Sequence, residues 1–159
     1  HSPSRRQRQM CIRDRLSIKE VDQKEFELCY ELDSDTISLW TKKQWHSEFN
    51  KRGVKVVGIF SKNKIIGIYV VQMIIDEAQI NYFSIKQKFR RKAYGSYLMS
   101  YLIKECKKLN IKKLLLEVSE TNSIADKFYC KFNFFTVGRR KNYYKNGNDA
   151  VLKEKKLIK

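Results

Sequence analysis

Histidine is nearly absent from this chain: His1 and His46 are the only two in 159 residues. Zinc sites of the usual Cys/His types therefore have nothing to build on, and no metal is expected. His46 is the one histidine in the body of the chain that could serve as a general base. It lies in Trp45-His46-Ser47 within a helical-looking stretch and reads as a surface or half-buried residue. Serine or cysteine hydrolase chemistry is thinly supported. Close cysteine spacings are missing as well. Cys11, Cys29, Cys106 and Cys130 are scattered with no CxxC, which favours free thiols in a reducing, cytoplasmic compartment over a disulfide scaffold. No apolar run is long enough to span a bilayer, since the longest, Ile65 to Ile75, is interrupted by Gln72. No basic-then-apolar signal peptide opens the sequence. Acidic residues are scarce: 17 Asp+Glu against 34 Lys+Arg give a net charge of +17. That excess points to an anionic partner, such as nucleic acid, membrane headgroups or a phosphorylated cofactor, without choosing among them.

What is present suits one folded domain. Apolar residues make up 42% of the chain, and nine Phe, nine Tyr and two Trp exclude a disordered polymer. Residues 1–15 differ from the rest, with five Arg, one Asp and almost nothing apolar. They resemble a translated adapter remnant and are expected to be a non-native or disordered basic leader; a basic nucleic-acid arm is the alternative. From Leu16 the pattern becomes regular, and 16–159 is expected to be the domain. Leu16, Ile18 and Val21 predict a short strand, 23–32 a helix, and 38–50 a second helix with Trp45 and Phe49 at i, i+4. The period then changes to two. Residues 54–60, a Lys62-Asn63 turn and 64–75 predict a hairpin, and Asp76-Glu77 turns into 79–85. A helix over 94–109 would place Leu98, Leu102, Cys106 and Leu109 on one face. Leu114 to Val118 is a dense apolar run, as expected of a strand buried on both faces. A helix over 123–132 and strands over 134–138 and 150–157 complete an α/β domain with a mixed sheet.

Three places could carry chemistry. Arg90-Arg91-Lys92-Ala93-Tyr94-Gly95-Ser96 joins a strand to an amphipathic helix and sets three cations in a turn. Free N–H groups and the positive end of the macrodipole favour an anion there. The segment is neither GxxxxGK[ST] nor GxGxxG, so nucleotide hydrolysis and dinucleotide binding are disfavoured. On composition alone a solvated basic loop is an equal reading. Glu117 is a carboxylate directly behind three leucines in an expected central strand. Partial burial would make it a better proton acceptor near neutral pH, although it could simply mark the solvated strand end. Tyr129, on the following helix, is a possible acid or an ordinary half-buried packing residue.

Taken together, Arg90 to Gly95, Glu117-Val118, Asn122 and Tyr129 to Phe134 occur in an order and spacing that resembles the GNAT superfamily of acyl-CoA-dependent N-acyltransferases. The similarity runs from about Leu16 to the C-terminus. It is greatest to the bacterial ribosomal-protein-alanine (RimI-type) branch, on Asp76-Glu77-Ala78, Leu116-Glu117-Val118, Tyr129, Arg140 to Tyr144 and Asp149-Ala150. The resemblance implies a single-domain α/β GNAT fold of about seven strands and four helices, with acetyl-CoA as co-substrate. It implies that Phe83, Ser84 and Ile85 offer backbone groups to the pantetheine arm and the thioester carbonyl. Arg91, Lys92, Ala93, Tyr94, Gly95 and Ser96 would face the cofactor's diphosphate, and Asn122 would be a further cofactor contact. Glu117 would be the general base and Tyr129 the general acid, with direct amine attack and no acyl-enzyme. Trp40, Arg140 and Tyr143 fall where the family binds its peptide, or else pack the core and rim.

The partner so implied is a protein N-terminus, that of a ribosomal protein, with ribosome association but neither a membrane nor sequence-specific nucleic acid. Two alternatives remain: a GNAT enzyme of a small amine or lysine side chain, and a basic RNA- or ribosome-binding module with a vestigial acetyl-CoA site. Two departures from the family pattern stand out. Ala93 replaces a usual glycine and costs about 1–2 kcal/mol if its φ must be positive. Asn133 replaces another glycine, in a role that Asn tolerates well.

Overall fold

The computed structural model describes residues 16–157, so the leader expected over 1–15, with Cys11, lies outside the described residues. Seven strands form one sheet in the order β1-β2-β3-β4-β5-β7-β6. They are β1 (Leu16–Glu20), β2 (Val54–Ser61), β3 (Lys64–Ile74), β4 (Glu77–Ile85), β5 (Lys113–Ser119), β6 (Phe135–Arg140) and β7 (Ala150–Lys156). Four α-helices accompany them: α1 (Phe26–Ser34), α2 (Lys42–Phe49), α3 (Tyr94–Lys108) and α4 (Ser123–Lys131). The sheet is mixed, because β4 and β5 pair in parallel while β1–β2, β5–β7 and β6–β7 are antiparallel. This is the expected α/β class. No helix among the described residues is long and apolar enough to cross a membrane.

The chain packs as two compact units. One comprises residues up to Val70 with Tyr82–Leu102, and the other Val71–Asn81 with the chain from Ile103 on.

In the first unit, the two-residue turn between β2 and β3 places Lys62 and Asn63 at φ +50° and +65°. That is the conformation whose twist matches paired strands. Val21, Cys29, Leu32, Trp45, Ile68 and Tyr82 belong to its buried core. The second helix begins later than the periodicity predicts, at Lys42 rather than Ser38. Thr41 accepts from the Gln44 N–H at 3.1 Å while the Gln44 side chain accepts from the Thr41 N–H at 2.8 Å, a capping box that fixes the start. The residues before it are held by Asp33, which is fully buried. Its carboxylate accepts from Leu39 N (2.9 Å), Trp40 N (3.0 Å), Trp45 Nε1 (2.9 Å) and Tyr82 Oη (3.0 Å). Two of the four donors are the backbone N–H groups of Leu39 and Trp40, so the carboxylate holds that stretch in a non-helical course.

In the second unit, the β3–β4 turn is tighter than predicted. Ile75 takes φ +57° with 96% of its surface exposed, and β4 already begins at Glu77. Strand β5 corrects another expectation. Its residues alternate between buried (Leu114, Leu116, Val118) and half-buried (Lys113, Leu115, Glu117, Ser119), so one face is sealed and the other only partly covered. The apolar run is dense because Leu115 fills a position on the half-covered face. Leu109, expected on the buried face of α3, is half exposed, because the helix ends at Lys108 and Asn110 turns the chain at φ +58°. Cys106 stays buried on that helix.

Candidate active site

The first unit contributes a strand end and a basic turn. Strand β4 finishes with Phe83, Ser84 and Ile85. Gly67 on β3 lies against them: a Cβ there would collide with the Ile85 side chain and come within 3.1 Å of the Ser84 carbonyl oxygen. Only glycine lets the backbones approach so closely. Ser84 is buried, and its hydroxyl lacks a hydrogen-bond partner among the described residues. Lys86 N donates to Ile66 O at 2.8 Å, and a 3₁₀ turn over Gln87–Phe89 leads to the cations.

The three cations do not act alike. Arg90 turns back, and its Nε donates to the Ile85 carbonyl at 2.9 Å, so one of the strand-end acceptors is already used. Arg91 and Lys92 remain exposed. Arg91 and Ala93 both adopt left-handed backbone, at φ +62° and +68°. Ala93 O accepts the Tyr97 N–H at 3.0 Å and so starts α3, with Tyr94, Gly95 and Ser96 in its first turn. The condition attached to Ala93 is thus met, and its methyl sits where glycine would be unstrained. An exposed pair of cations on a left-handed turn opening a fifteen-residue helix suits a diphosphate.

Trp40, expected at the acceptor or in the core, is half-buried in this unit. Its ring meets Trp45 at 4.8 Å and Tyr82 at 5.5 Å between centroids. It packs as the outer member of the aromatic cluster that Asp33 organises.

The second unit carries the ionisable groups. Glu117 points from the half-covered face of β5, with 24% of its side chain exposed, and its Oε1 lies 3.0 Å from Arg140 Nε on β6. Tyr129 on α4 is buried, in edge contact with Phe128 (5.5 Å) and Phe134 (5.6 Å). Burial pushes its phenol well above the ordinary tyrosine range, and neighbouring Tyr144 adds to this. Burial also raises the Tyr144 phenol, helped by the Glu117 charge and by Tyr143. Tyr144 therefore stands electrostatically next to both Glu117 and Tyr129, a position that its place in the sequence did not single out.

Asn122, expected as a further cofactor contact, caps α4: its Oδ1 accepts from Ala125 N at 3.1 Å. Arg140 also lies over the Tyr143 ring at 5.8 Å, and Tyr143 packs edge-on against Tyr144 at 5.1 Å. The β6–β7 loop that carries them is tied down. Asn142 N donates to Asp149 Oδ1 (3.0 Å), Tyr144 N to Asn148 O (3.1 Å), and Arg139 pairs with Glu120 at 2.6 Å. One polar pair was invisible in the sequence: buried Lys153 on β7 meets Asp126 of α4 at 2.6 Å and Thr136 of β6 at 3.3 Å. Among the described residues no group of three or more His, Cys, Asp or Glu could hold a metal. His46 is exposed, with its ring edge-on to Phe26 at 5.1 Å.

A mixed sheet with a parallel β4–β5 pair, a basic left-handed turn opening a helix and a half-covered carboxylate on β5 are the features to set beside known proteins, and the family match makes the chain an acyltransferase. Residues 17–134 match the acetyltransferase (GNAT) family, and the chain belongs to it. It is 30% identical over 130 residues to the ribosomal protein bS18-alanine N-acetyltransferase of Haemophilus influenzae, covering 80% of this chain and 86% of that protein. It is 27% identical over 130 residues to the enzyme of the same name from Haemophilus ducreyi, covering 80% and 88%. The crystal structure of the ribosomal-protein-S18-alanine N-acetyltransferase from Escherichia coli superposes with a TM-score of 0.84 at 22% identity, covering 91% of this chain and 95% of that one.

Proposed function

We propose that this protein is an acetyl-CoA-dependent Nα-acetyltransferase that acts on the N-terminal residue, alanine, of a ribosomal protein. The observation that carries the reading is Glu117, an ionisable carboxylate on the half-covered face of β5, in a family member whose relatives bear that activity in their names.

The chain's own groups divide the work. Arg91, Lys92 and the first N–H groups of α3, from Tyr94 to Ser96, hold the diphosphate, and the β4 end at Phe83 to Ile85 aligns the thioester arm. Acetyl-CoA supplies an activated acetyl group. Glu117 accepts a proton from the acceptor's ammonium. That is modest work, because an α-amino group has a reference pKa near ~8 and is partly neutral at the start. The amine then attacks the thioester carbonyl directly: a C–N bond forms, the C–S bond breaks, Tyr129 protonates the departing thiolate, and the second proton shed by the acylated nitrogen returns to the phenolate. Burial keeps the phenol protonated until that step and draws the proton back afterwards. No cysteine is needed as a nucleophile. Cys29 and Cys106 are buried, and burial pushes the Cys29 thiol up to about 12; Cys130 is exposed on α4 and has no part in direct attack.

The test is acetyl transfer from acetyl-CoA to a basic peptide beginning with Ala, read as CoA release and as a mass gain on the peptide's N-terminus. A polyamine and an N-terminally blocked lysine peptide are run beside it. Transfer to the free N-terminus well above the other two is expected. Preference for the polyamine or the lysine side chain would replace the acceptor assignment, and no transfer to any acceptor would overturn the enzyme reading.

A further inference from the structure

Arg140 falls in the segment where the family resemblance places an acceptor contact, yet its guanidinium is turned onto Glu117. The sheet register shows how it gets there. Glu117 on β5 pairs with Leu152 on β7, and two residues along, at the next position on the same face, stand Ser119, Ala150 and Arg140. Arg140 therefore starts one strand beyond β7 and two residues along, and its side chain crosses β7 to put Nε 3.0 Å from Glu117 Oε1. The β7 residue paired with Arg140 is Ala150, whose small side chain leaves this crossing open. The far side of the guanidinium lies over the Tyr143 ring at 5.8 Å. A cation fixed between a carboxylate and an aromatic face has a defined position, unlike an ordinary surface arginine.

We propose that Arg140 is a positioning residue: it holds the Glu117 carboxylate aligned and, as a cation already beside it, disfavours binding of the acceptor's amine as ammonium. This rests on the reading of Glu117 as the base. The physical reason is competition. An ammonium approaching Glu117 meets a carboxylate whose charge is already balanced and a like charge a few ångströms away, whereas a neutral amine meets no such opposition. Arg140 thus weakens ground-state binding of the charged acceptor while keeping the base oriented for proton transfer. Such a trade raises KM and kcat together.

Steady-state kinetics with the Ala-initiated peptide test this in Arg140→Gln, Arg140→Lys, Glu117→Gln and the Glu117→Gln/Arg140→Gln double variant. Arg140→Gln is expected to lower the peptide KM about fivefold, near the upper range for an ion pair this exposed, and to lower kcat as well. Arg140→Lys is expected to recover most of both shifts. Removing Arg140 in the Glu117→Gln background is expected to change neither value further. A higher KM in Arg140→Gln would make Arg140 an acceptor contact instead and overturn the proposal; so would unchanged KM and kcat. A second arm uses the unaltered enzyme, so it stands even if a variant fails to fold. A peptide with an aminooxyacetyl N-terminus, neutral at pH 7, is expected to compete for the site more tightly than its Ala-initiated counterpart, and equal or weaker competition overturns the proposal. Full activity in Glu117→Gln would instead remove the base assignment on which the inference rests. Loss of activity there, with Arg140→Gln behaving as wild type, would remove the role of Arg140 alone.

Discussion

Two carboxylates, Asp33 in the first unit and Glu117 in the second, differ in what their surroundings leave open to them. Asp33 is 0% exposed and accepts four hydrogen bonds, two from backbone and two from side chains, with no cation at hand. Its lone pairs are used up, and it ties the stretch between α1 and α2 to the β4 residue Tyr82. Glu117 keeps 24% of its side chain in solvent and has one cationic partner, itself 58% exposed. It retains lone pairs for an incoming proton. A carboxylate with every acceptor site filled anchors the fold, whereas one with sites left over can react.

The sharpest way to break this comparison is Asp33→Ala. It strips the partner from Leu39 N, Trp40 N, Trp45 Nε1 and the Tyr82 hydroxyl at once. A loss of about 3–5 kcal/mol is expected in urea unfolding. That is a large share of the ~5–15 kcal/mol typical of a domain. A loss below about 1 kcal/mol would mean that the four bonds are individually dispensable.

Glu117→Gln is the opposite case. Its stability cost is expected to stay within about 1 kcal/mol, because the pair it breaks is partly solvated. Its kcat is expected to fall by roughly 10²–10³-fold, the range for a general base. If instead unfolding shifted strongly while kcat held, the roles of the two acids would be exchanged. Tyr129→Phe belongs to the same side, with a fall in kcat of about 10²-fold. Burial raises this phenol, so it stays protonated through the ordinary assay range. In the unaltered enzyme no alkaline loss of kcat is then expected from Tyr129 at or below the usual tyrosine titration near ~10. A loss of kcat centred below that range would show that the proton donor is another group.

The contrast also explains what could be read from the sequence. All seven strands and four helices were legible, because each carries a local period or a turn signal: the Lys62-Asn63 turn, and the spacing of Leu98, Leu102 and Cys106. Glu117, Tyr129 and the basic turn stand out as candidates through the resemblance, because family spacing is a one-dimensional property. Asp33 was not. Its neighbours along the chain, Leu32 and Ser34, say nothing of Trp45 twelve residues on or Tyr82 forty-nine residues on. The same holds for Lys153 with Asp126, and for Arg140 reaching Glu117 across β7, since strand register decides both contacts. The misplaced start of α2 has one cause with the Asp33 network. Periodicity reports which residues face a core, but a side chain that captures the backbone N–H groups of Leu39 and Trp40 can take those residues out of the helix.

The smallest effect concerns the basic turn, where the structure turns a condition into a number. Ala93 sits at φ +68°, and its carbonyl takes the first helical N–H, from Tyr97. A left-handed alanine costs about 1–2 kcal/mol relative to its preferred backbone. Ala93→Gly removes that strain but gives the unfolded chain more freedom, which offsets ~0.4–1 kcal/mol of the gain. The net stabilisation is expected to be about 0.5–1 kcal/mol, seen as a small rise in the unfolding midpoint. The strain belongs to the start of α3 itself, with Arg91 left-handed beside it, so relief should register in folding more than in binding. Affinity for acetyl-CoA, read by isothermal calorimetry, is therefore expected to stay within about twofold of the parent. A large tightening without any change in stability would place the strain in the bound turn alone, and the left-handed φ of Ala93 would then owe more to the diphosphate than to the helix it opens.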